Sequence, residues 1–302
     1  MSEFCGPFAV VCHDSGAANL LIAYLDDCLT CDIKVCMLGP AFDLWSRRYG
    51  KKNLVGSISE AIDGCKTLVS GTGWASSVEH DARWLAKRNG MRSIAALDHW
   101  VNYPERFIRD NITVLPDEFW VFDEFALAEA KLFFPERSIK LKKNKYLERS
   151  INLIKVTESA IPKKFLYLLE PIRNDWGFVR AGEFQALDYF INRLSEIKLP
   201  NDFHLVLRPH PSDAPGKYDD WIKIQKNIFV TIDDKFDLFE SIGEASWVGG
   251  CETYALVVAL EAGYPVLCTL PPWAIKSRLP MSNLINLSKV ANNELLHLLF
   301  AT

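Results

Sequence analysis

The strongest constraint on the fold is an alternation that recurs along almost the whole chain: a short apolar run, a polar or glycine-bearing turn, then a helical pattern. In the first half, apolar runs at Phe8–His13, Ile33–Gly39, Thr67–Ser70, Ser93–Leu97 and Phe119–Phe122 alternate with helical patterns at Ala17–Asp27, Ala41–Tyr49, Ser59–Asp63, Ser76–Asn89 and Phe125–Phe134. Runs this short and this apolar suit strands buried on both faces, and their alternation with helices builds βαβ units, which require a parallel sheet. From Ser138 to Lys164 the periodicity fades and the composition turns basic, with Lys140, Lys142, Lys143, Lys145 and Arg149. The alternation then restarts, with strands expected at Phe165–Leu169, His204–Leu207, Phe229–Ile232, Trp247–Val248 and Val266–Thr269. The intervening helices are expected at Gly182–Ile197, Trp221–Lys226, Leu238–Glu244 and Thr253–Ala262. The expected fold class is α/β: two Rossmann-like, doubly wound parallel-sheet domains, 1–158 and 159–302, facing across a cleft. A last amphipathic helix, Asn292–Phe300, is expected to pack across the hinge.

A length of 302 residues gives each such domain enough chain to bury its own core. The 49% hydrophobic and 24% charged composition argues against disorder and against a disulfide-stapled scaffold. Lys and Arg number 34 against 38 acids, so a net charge of −4 supplies no general field for nucleic acid, and no nucleic-acid partner is expected. The first residues lack a basic segment ahead of an apolar one, and no apolar run approaches the roughly 20 residues that span a bilayer. A soluble, cytoplasmic protein is expected. The basic stretch from Lys140 to Arg149 leaves two readings open, peripheral docking on the inner face of an anionic membrane or a solvated interdomain linker. Most of the eight cysteines sit in strand-like runs or singly, as reduced thiols do, and Cys28-Leu-Thr-Cys31 lacks the partner ligands that zinc requires. No metal site is expected.

Open parallel sheets bind ligands beyond the carboxyl ends of their strands, where helix starts and short turns present backbone N–H groups. The first strand exits into His13-Asp14-Ser15-Gly16, in which Asp14 either caps the next helix or faces a ligand beside His13. It is not a G-x-G-x-x-G dinucleotide turn. The third exits into Gly71-Thr72-Gly73-Trp74, with Ser76 and Glu79 spaced as a capping box. The fourth exits into Asp98-His99-Trp100-Val101-Asn102-Tyr103, where Trp100 and Tyr103 are candidates to stack on a sugar and Asp98–His99 is a candidate acid–base pair or a structural one. In the second half, Glu170 follows the first strand. The run Arg208-Pro209-His210-Pro211 then holds a cation and a proton donor in a stiffened exit suited to phosphate. Val248-Gly249-Gly250-Cys251-Glu252-Thr253 opens an apolar helix, so Gly249, Gly250, Glu252 and Thr253 join Arg208 and His210 as candidates for binding an anion.

The run Arg208-Pro-His210-Pro, together with Gly249-Gly-Cys-Glu-Thr253 through Gly263-Tyr-Pro-Val266, resembles the nucleotide-binding domain of GT-B fold glycosyltransferases. It is most similar to the His-Pro branch of bacterial sialyltransferases and Kdo transferases, which use CMP-linked acidic sugars. The resemblance implies that His210 and the helix start at Thr253 contact the donor phosphate. Val258 stands where enzymes using UDP- or GDP-sugars carry a ribose-binding Glu, which favours a CMP donor. The acidic motif of the sialyltransferases has no counterpart at Ala61-Ile62-Asp63-Gly64.

These readings lead to a glycosyltransferase without an Asp-x-Asp metal motif and without a cofactor. It would take a nucleotide sugar as donor and move the sugar onto a polysaccharide or glycolipid acceptor. Asp14 or Asp98, with His13 or His99, would act as general base; in a retaining course, Asp98 or Glu170 would attack the sugar. The alternatives are a hydrolysing nucleotide-sugar 2-epimerase, which shares the two-lobed fold, and a polysaccharide-assembly partner without turnover.

Overall fold

The computed structural model describes residues 6–26, 32–74, 76–156, 163–172, 174–197, 199, 202–235 and 237–300, so Cys28 and Cys31 lie outside the described residues. The chain divides into two compact units, Met1–Glu148 and Arg149–Thr302, a division ten residues before the junction expected at 158/159.

In unit 1 the elements run β1 (Phe8–Cys12), α1 (Ser15–Leu25), β2 (Ile33–Met37), α2 (Gly39–Tyr49), α3 (Ile58–Ile62), β3 (Thr67–Ser70), α4 (Val78–Arg88) and β4 (Arg92–Ala96). A short antiparallel hairpin, β5 (Ile108–Arg109) and β6 (Ile112–Thr113), precedes β7 (Glu118–Val121), α5 (Glu124–Phe133) and β8 (Ser138–Leu141), and α6 (Lys145–Leu153) contains the division between the units. Six strands form one parallel sheet in the order β2-β1-β3-β4-β7-β8. The sequence explains its centre. Phe8, Val10 and Cys12 of β1 enter one core with Trp45, Val69 and Trp120, while Ala9 and Val11 enter another with Leu68, Ala82 and Ala86. Burial of each large side chain contributes about 1.5–3 kcal/mol.

The basic stretch is not an unstructured linker: it forms β8 and the start of α6, and Lys140 and Lys143 are exposed on it. Lys140 lies on β8 and pairs with Glu118 at 3.0 Å, and Lys143 pairs with Glu148 at 2.9 Å. Lys142 sits over the Trp120 ring, and Lys145 over Tyr24.

Unit 2 runs β9 (Lys164–Leu168), α7 (Gly182–Ser195), β10 (His204–Arg208), α8 (Asp219–Lys223), β11 (Phe229–Ile232), α9 (Leu238–Gly243), β12 (Trp247–Gly250), α10 (Tyr254–Glu261), β13 (Val266–Cys268), β14 (Ile285–Asn286) and α11 (Asn292–Phe300). Its six strands are again parallel, in the order β11-β10-β9-β12-β13-β14. Leu295 and Leu299 of α11 are buried in the core of unit 2, beside Phe190 and Leu194.

In both sheets the strand order reverses once near the middle, between β1 and β3 in unit 1 and between β9 and β12 in unit 2. Helices on either side of such a reversal leave in opposite directions and open a crevice at the carboxyl ends, the usual ligand position in open α/β sheets. Among the described residues, no helix is long and apolar enough to cross a membrane.

Candidate functional site

In unit 1 the exits of β1, β2, β3 and β4 converge. Asp14 occupies the N-cap position of α1, but its carboxylate makes no cap bond. It meets His13 Nδ1 at 2.8 Å instead. Glycines permit the approach: a Cβ at Gly73 would lie 2.3 Å from Asp14 Oδ2, one at Gly16 2.2 Å from Asp98 Oδ2, and one at Gly39, whose φ is +51°, 2.4 Å from His13 Nε2. Asp98 is held on its other oxygen by Arg106 Nη1 at 2.7 Å. The same guanidinium donates to the Val101 carbonyl and to both Thr72 oxygens. Burial pushes the Cys12 thiol well up, and the charges of Glu79, Asp98 and Asp14 add to the rise, which places three carboxylates around one point.

Glu79 does not close a capping box with Ser76. Ser77 holds the N-cap position of α4, and the fully buried Glu79 accepts the His13 N–H at 2.7 Å, while its second oxygen has no partner. Nor do Trp100 and Tyr103 offer a sugar platform. Trp100 is 8% exposed and donates to Asp123, and Tyr103 is 1% exposed. The strand exit turns both rings into the core around α5. His99, half-buried, accepts the Trp100 N–H at 2.9 Å.

In unit 2 the β9/β12 reversal opens into a cavity of about 470 Å³, lined by Glu170, Asn174, Trp176, His210, Glu252, Thr253 and Arg278 among others. Ligand pockets typically span roughly 300–1,000 Å³. Thr253 caps α10, so the positive end of that helix opens on the cavity. Glu170 accepts the Glu252 N–H at 2.7 Å, and Glu252 in turn is bound by the guanidinium of Arg278 and by the Arg278 backbone N–H. His210 is fixed by its own turn, its N–H donating to Asp213 and its Nδ1 meeting Ser212 Oγ at 2.8 Å. Desolvation lowers its pKa although the residue is exposed, and Asp213 opposes that shift. Beneath it, Lys217 bridges Asp213 and Glu183, and Glu183 holds the Ile172 N–H.

The structure separates other candidates from this cavity. Arg208 is directed to Asp233 at 2.5 Å and Ser241 at 2.9 Å. Gly249 and Gly250 belong to β12, which runs two residues beyond its expected end. A Cβ at Gly249 would lie 2.6 Å from the Phe165 ring, and one at Gly250 2.5 Å from the Leu168 carbonyl. Their missing side chains serve close strand packing. Arg278, which lines the cavity, lies ten residues past the end of β13, too far along the exit loop for a strand-end pattern to mark it.

Burial pushes Glu170 up to about 7, and Glu252 adds to the rise. An unfolded glutamate titrates near 4.5. Between these values the folded chain holds a proton that the unfolded chain has released, so stability falls as pH rises through that window. At about 1.4 kcal/mol per pKa unit, the rise from 4.5 to about 7 brings the deficit to about 3.5 kcal/mol above pH 8. Glu170→Gln is therefore expected to be more stable than the wild type at pH 8.5 and nearly equal to it at pH 4.5. Urea unfolding at both values checks this, and a gap that does not change with pH would assign the effect to packing.

No protein-family model matches the chain, and no curated protein sequence matches it. Solved structures do. UDP-GlcNAc 2-epimerase from Methanocaldococcus jannaschii aligns over 87% of this chain and 83% of its own, with a TM-score of 0.59 at 11% identity. UDP-GlcNAc 2-epimerase from Neisseria meningitidis, bound to UDP-GlcNAc, aligns over 87% and 82%, with 0.60 at 12%. Acinetobacter baumannii MurG aligns over 98% and 90%, with 0.55 at 10%. These likenesses do not reach the sialyltransferase and Kdo transferase branch that the His-Pro motif resembles. What they share with this chain is the GT-B-like fold of two parallel-sheet α/β units.

Proposed function

We propose that this chain is an enzyme acting on a nucleotide sugar, with the nucleotide taken by the unit 2 cavity. The observation that carries the reading is the composition of that cavity at the β9/β12 reversal: a capped helix start, the fixed imidazole of His210, Arg278, and a carboxyl that shares its proton near neutrality. The first three suit a phosphate, and a protonated Glu170 adds a donor where an ionised one would repel. Similarity to nucleotide-sugar enzymes of the same fold supports the class.

Within that class we favour transfer of the sugar to an acceptor hydroxyl, with Asp14 or Asp98 of unit 1 as base. Hydrolytic 2-epimerisation is the second reading, favoured by the likeness to two UDP-GlcNAc 2-epimerases. Product analysis separates them: free nucleotide and free sugar formed without acceptor indicate the epimerase, and acceptor-dependent glycoside indicates transfer. Val258, in α10, stands where the resemblance places a ribose-binding Glu in enzymes using UDP- or GDP-sugars, and on that absence we favour a cytidine donor. The epimerases' substrate supports uridine. The matching nucleotide is expected to raise stability by about 2.7 kcal/mol at a hundredfold excess over its Kd. Thermal unfolding with CMP, UDP and GDP in turn checks this. A shift with UDP or GDP but not CMP would remove the cytidine assignment, and no shift with any of the three would remove the nucleotide reading.

A further inference from the structure

Among the described residues, the unit 1 crevice carries a large aromatic, Trp74, that the fold holds in place without burying. Trp74, directly after Gly73 at the β3 exit, is 52% exposed. Its loop is pinned from several sides. Arg109 donates to the Gly73 and Ser76 carbonyls, both at 3.2 Å, and Arg106 donates to Thr72. The Arg106 guanidinium lies 6.0 Å from the Trp74 ring centroid, a cation–π distance that fixes the indole and leaves ring surface open to solvent. Arg106 is itself 6% exposed and holds the Asp98 carboxylate at 2.7 Å. One buried cation thus positions an open aromatic surface and a carboxylate together, and Asp14 adjoins them across the bare backbone of Gly73.

This pairing fits one ligand chemistry better than others. A pyranose presents a face of C–H groups and an edge of hydroxyls. The C–H face packs on an indole, which contributes apolar area and a negative ring quadrupole, and the hydroxyls donate to carboxylates. A phosphate or another anion would meet Asp14 and Asp98 unfavourably. A nucleobase would stack on the indole but would leave the carboxylates to donors that only some bases possess.

We infer that Trp74 and Asp98, both positioned by Arg106, form a pyranose-binding subsite in unit 1, with Trp74 as its specificity-determining platform. This assignment rests on the nucleotide-sugar reading for its place in a reaction but not for its binding chemistry, and the test keeps the two apart. Saturation-transfer NMR on the full chain, with free N-acetylglucosamine, glucose and galactose as probes, is expected to show contact to at least one of these neutral sugars. Trp74→Ala should weaken that contact tenfold or more. Trp74→Phe should retain part of it, and Trp84→Ala, which removes an exposed indole on α4, should leave it unchanged. Uridine and cytidine serve as base-stacking controls. Sugar binding that depends on Trp74 upholds the subsite even if no nucleotide shifts the melting temperature. The subsite is overturned if no probe sugar binds, if Trp74→Ala binds as the wild type does, or if the nucleosides alone show the Trp74-dependent signal.

Discussion

Asp98→Asn is expected to lower turnover by a factor of roughly 10² to 10⁴, the usual loss when a positioned general base is removed. The structure gives a reason to expect the upper part of that range. One Asp98 oxygen is committed to Arg106, and the other lies over the backbone of Gly16, where no side chain intervenes. A carboxylate so held presents one oxygen in a fixed direction. An amide of the same shape retains the Arg106 bond through its carbonyl oxygen but cannot accept a proton from a reacting hydroxyl. The variant should therefore fold, as circular dichroism and its unfolding midpoint would report, and it should keep the nucleotide-induced melting shift, which depends on unit 2. The same change at Asp14 tests its partnership with His13 Nδ1. If both variants turn over at the wild-type rate, the acid–base chemistry lies elsewhere, with Glu170 as the next candidate. If either loses the nucleotide shift instead, the assignment of nucleotide to unit 2 fails.

The sheets were legible in the sequence because their central strands are apolar on both faces and end at polar turns, so one pattern marks both the strand and the position of ligand chemistry. Where that coupling weakens, reading fails. β8 is an edge strand bonded only to β7, with the exposed, charged sequence Ser-Ile-Lys-Leu, so no apolar run announces it. β14 is a two-residue edge strand and leaves too little pattern to detect. At the sites, chain position predicted which residues lie at strand exits but not where their side chains turn. Trp100 and Tyr103 leave β4 as predicted and then fold inward, whereas Trp74, three residues after Gly71, stays out because Arg106 and Arg109 hold its loop. Arg208 is the last residue of β10 and turns to Asp233, while His210, two residues later, lines the cavity. Glu79 shows the remaining limit. Its spacing fits a capping box, but the contact that defines it reaches 66 residues back to His13, and no local pattern encodes that separation.

Arg83→Ala is expected to be among the most destabilising single changes in unit 1, by about 3–5 kcal/mol, the usual cost of removing one partner from a buried charged network. Arg83 is 1% exposed and lies over the Phe107 ring at 4.9 Å. Its Nη1 donates to Ser70 Oγ at 3.1 Å and the Gly71 carbonyl at 2.9 Å, and Nη2 reaches the Arg106 carbonyl at 3.4 Å. Burial brings the guanidinium down to about 10, with Glu79 opposing, so it remains charged at neutral pH. Truncation would strand three buried acceptors, leave a cavity beside Phe107 and deprive the buried Glu79 carboxylate, one helical turn away, of its compensating charge. At about 2–4 °C per kcal/mol for a unit of this size, the melting temperature should fall by roughly 6–20 °C. A companion variant distinguishes the causes. Arg83→Met fills most of the volume, so combining it with Glu79→Gln should recover a substantial part of the loss if the unpaired charge dominates, and little if the stranded acceptors do. Because Arg83 ties the β3 exit to the segment bearing Arg106, the same substitution should also weaken sugar contact at Trp74 while leaving the nucleotide response of unit 2 unchanged. A single substitution that left both the melting temperature and the sugar contact intact would show that the unit 1 crevice is not organised through this arginine.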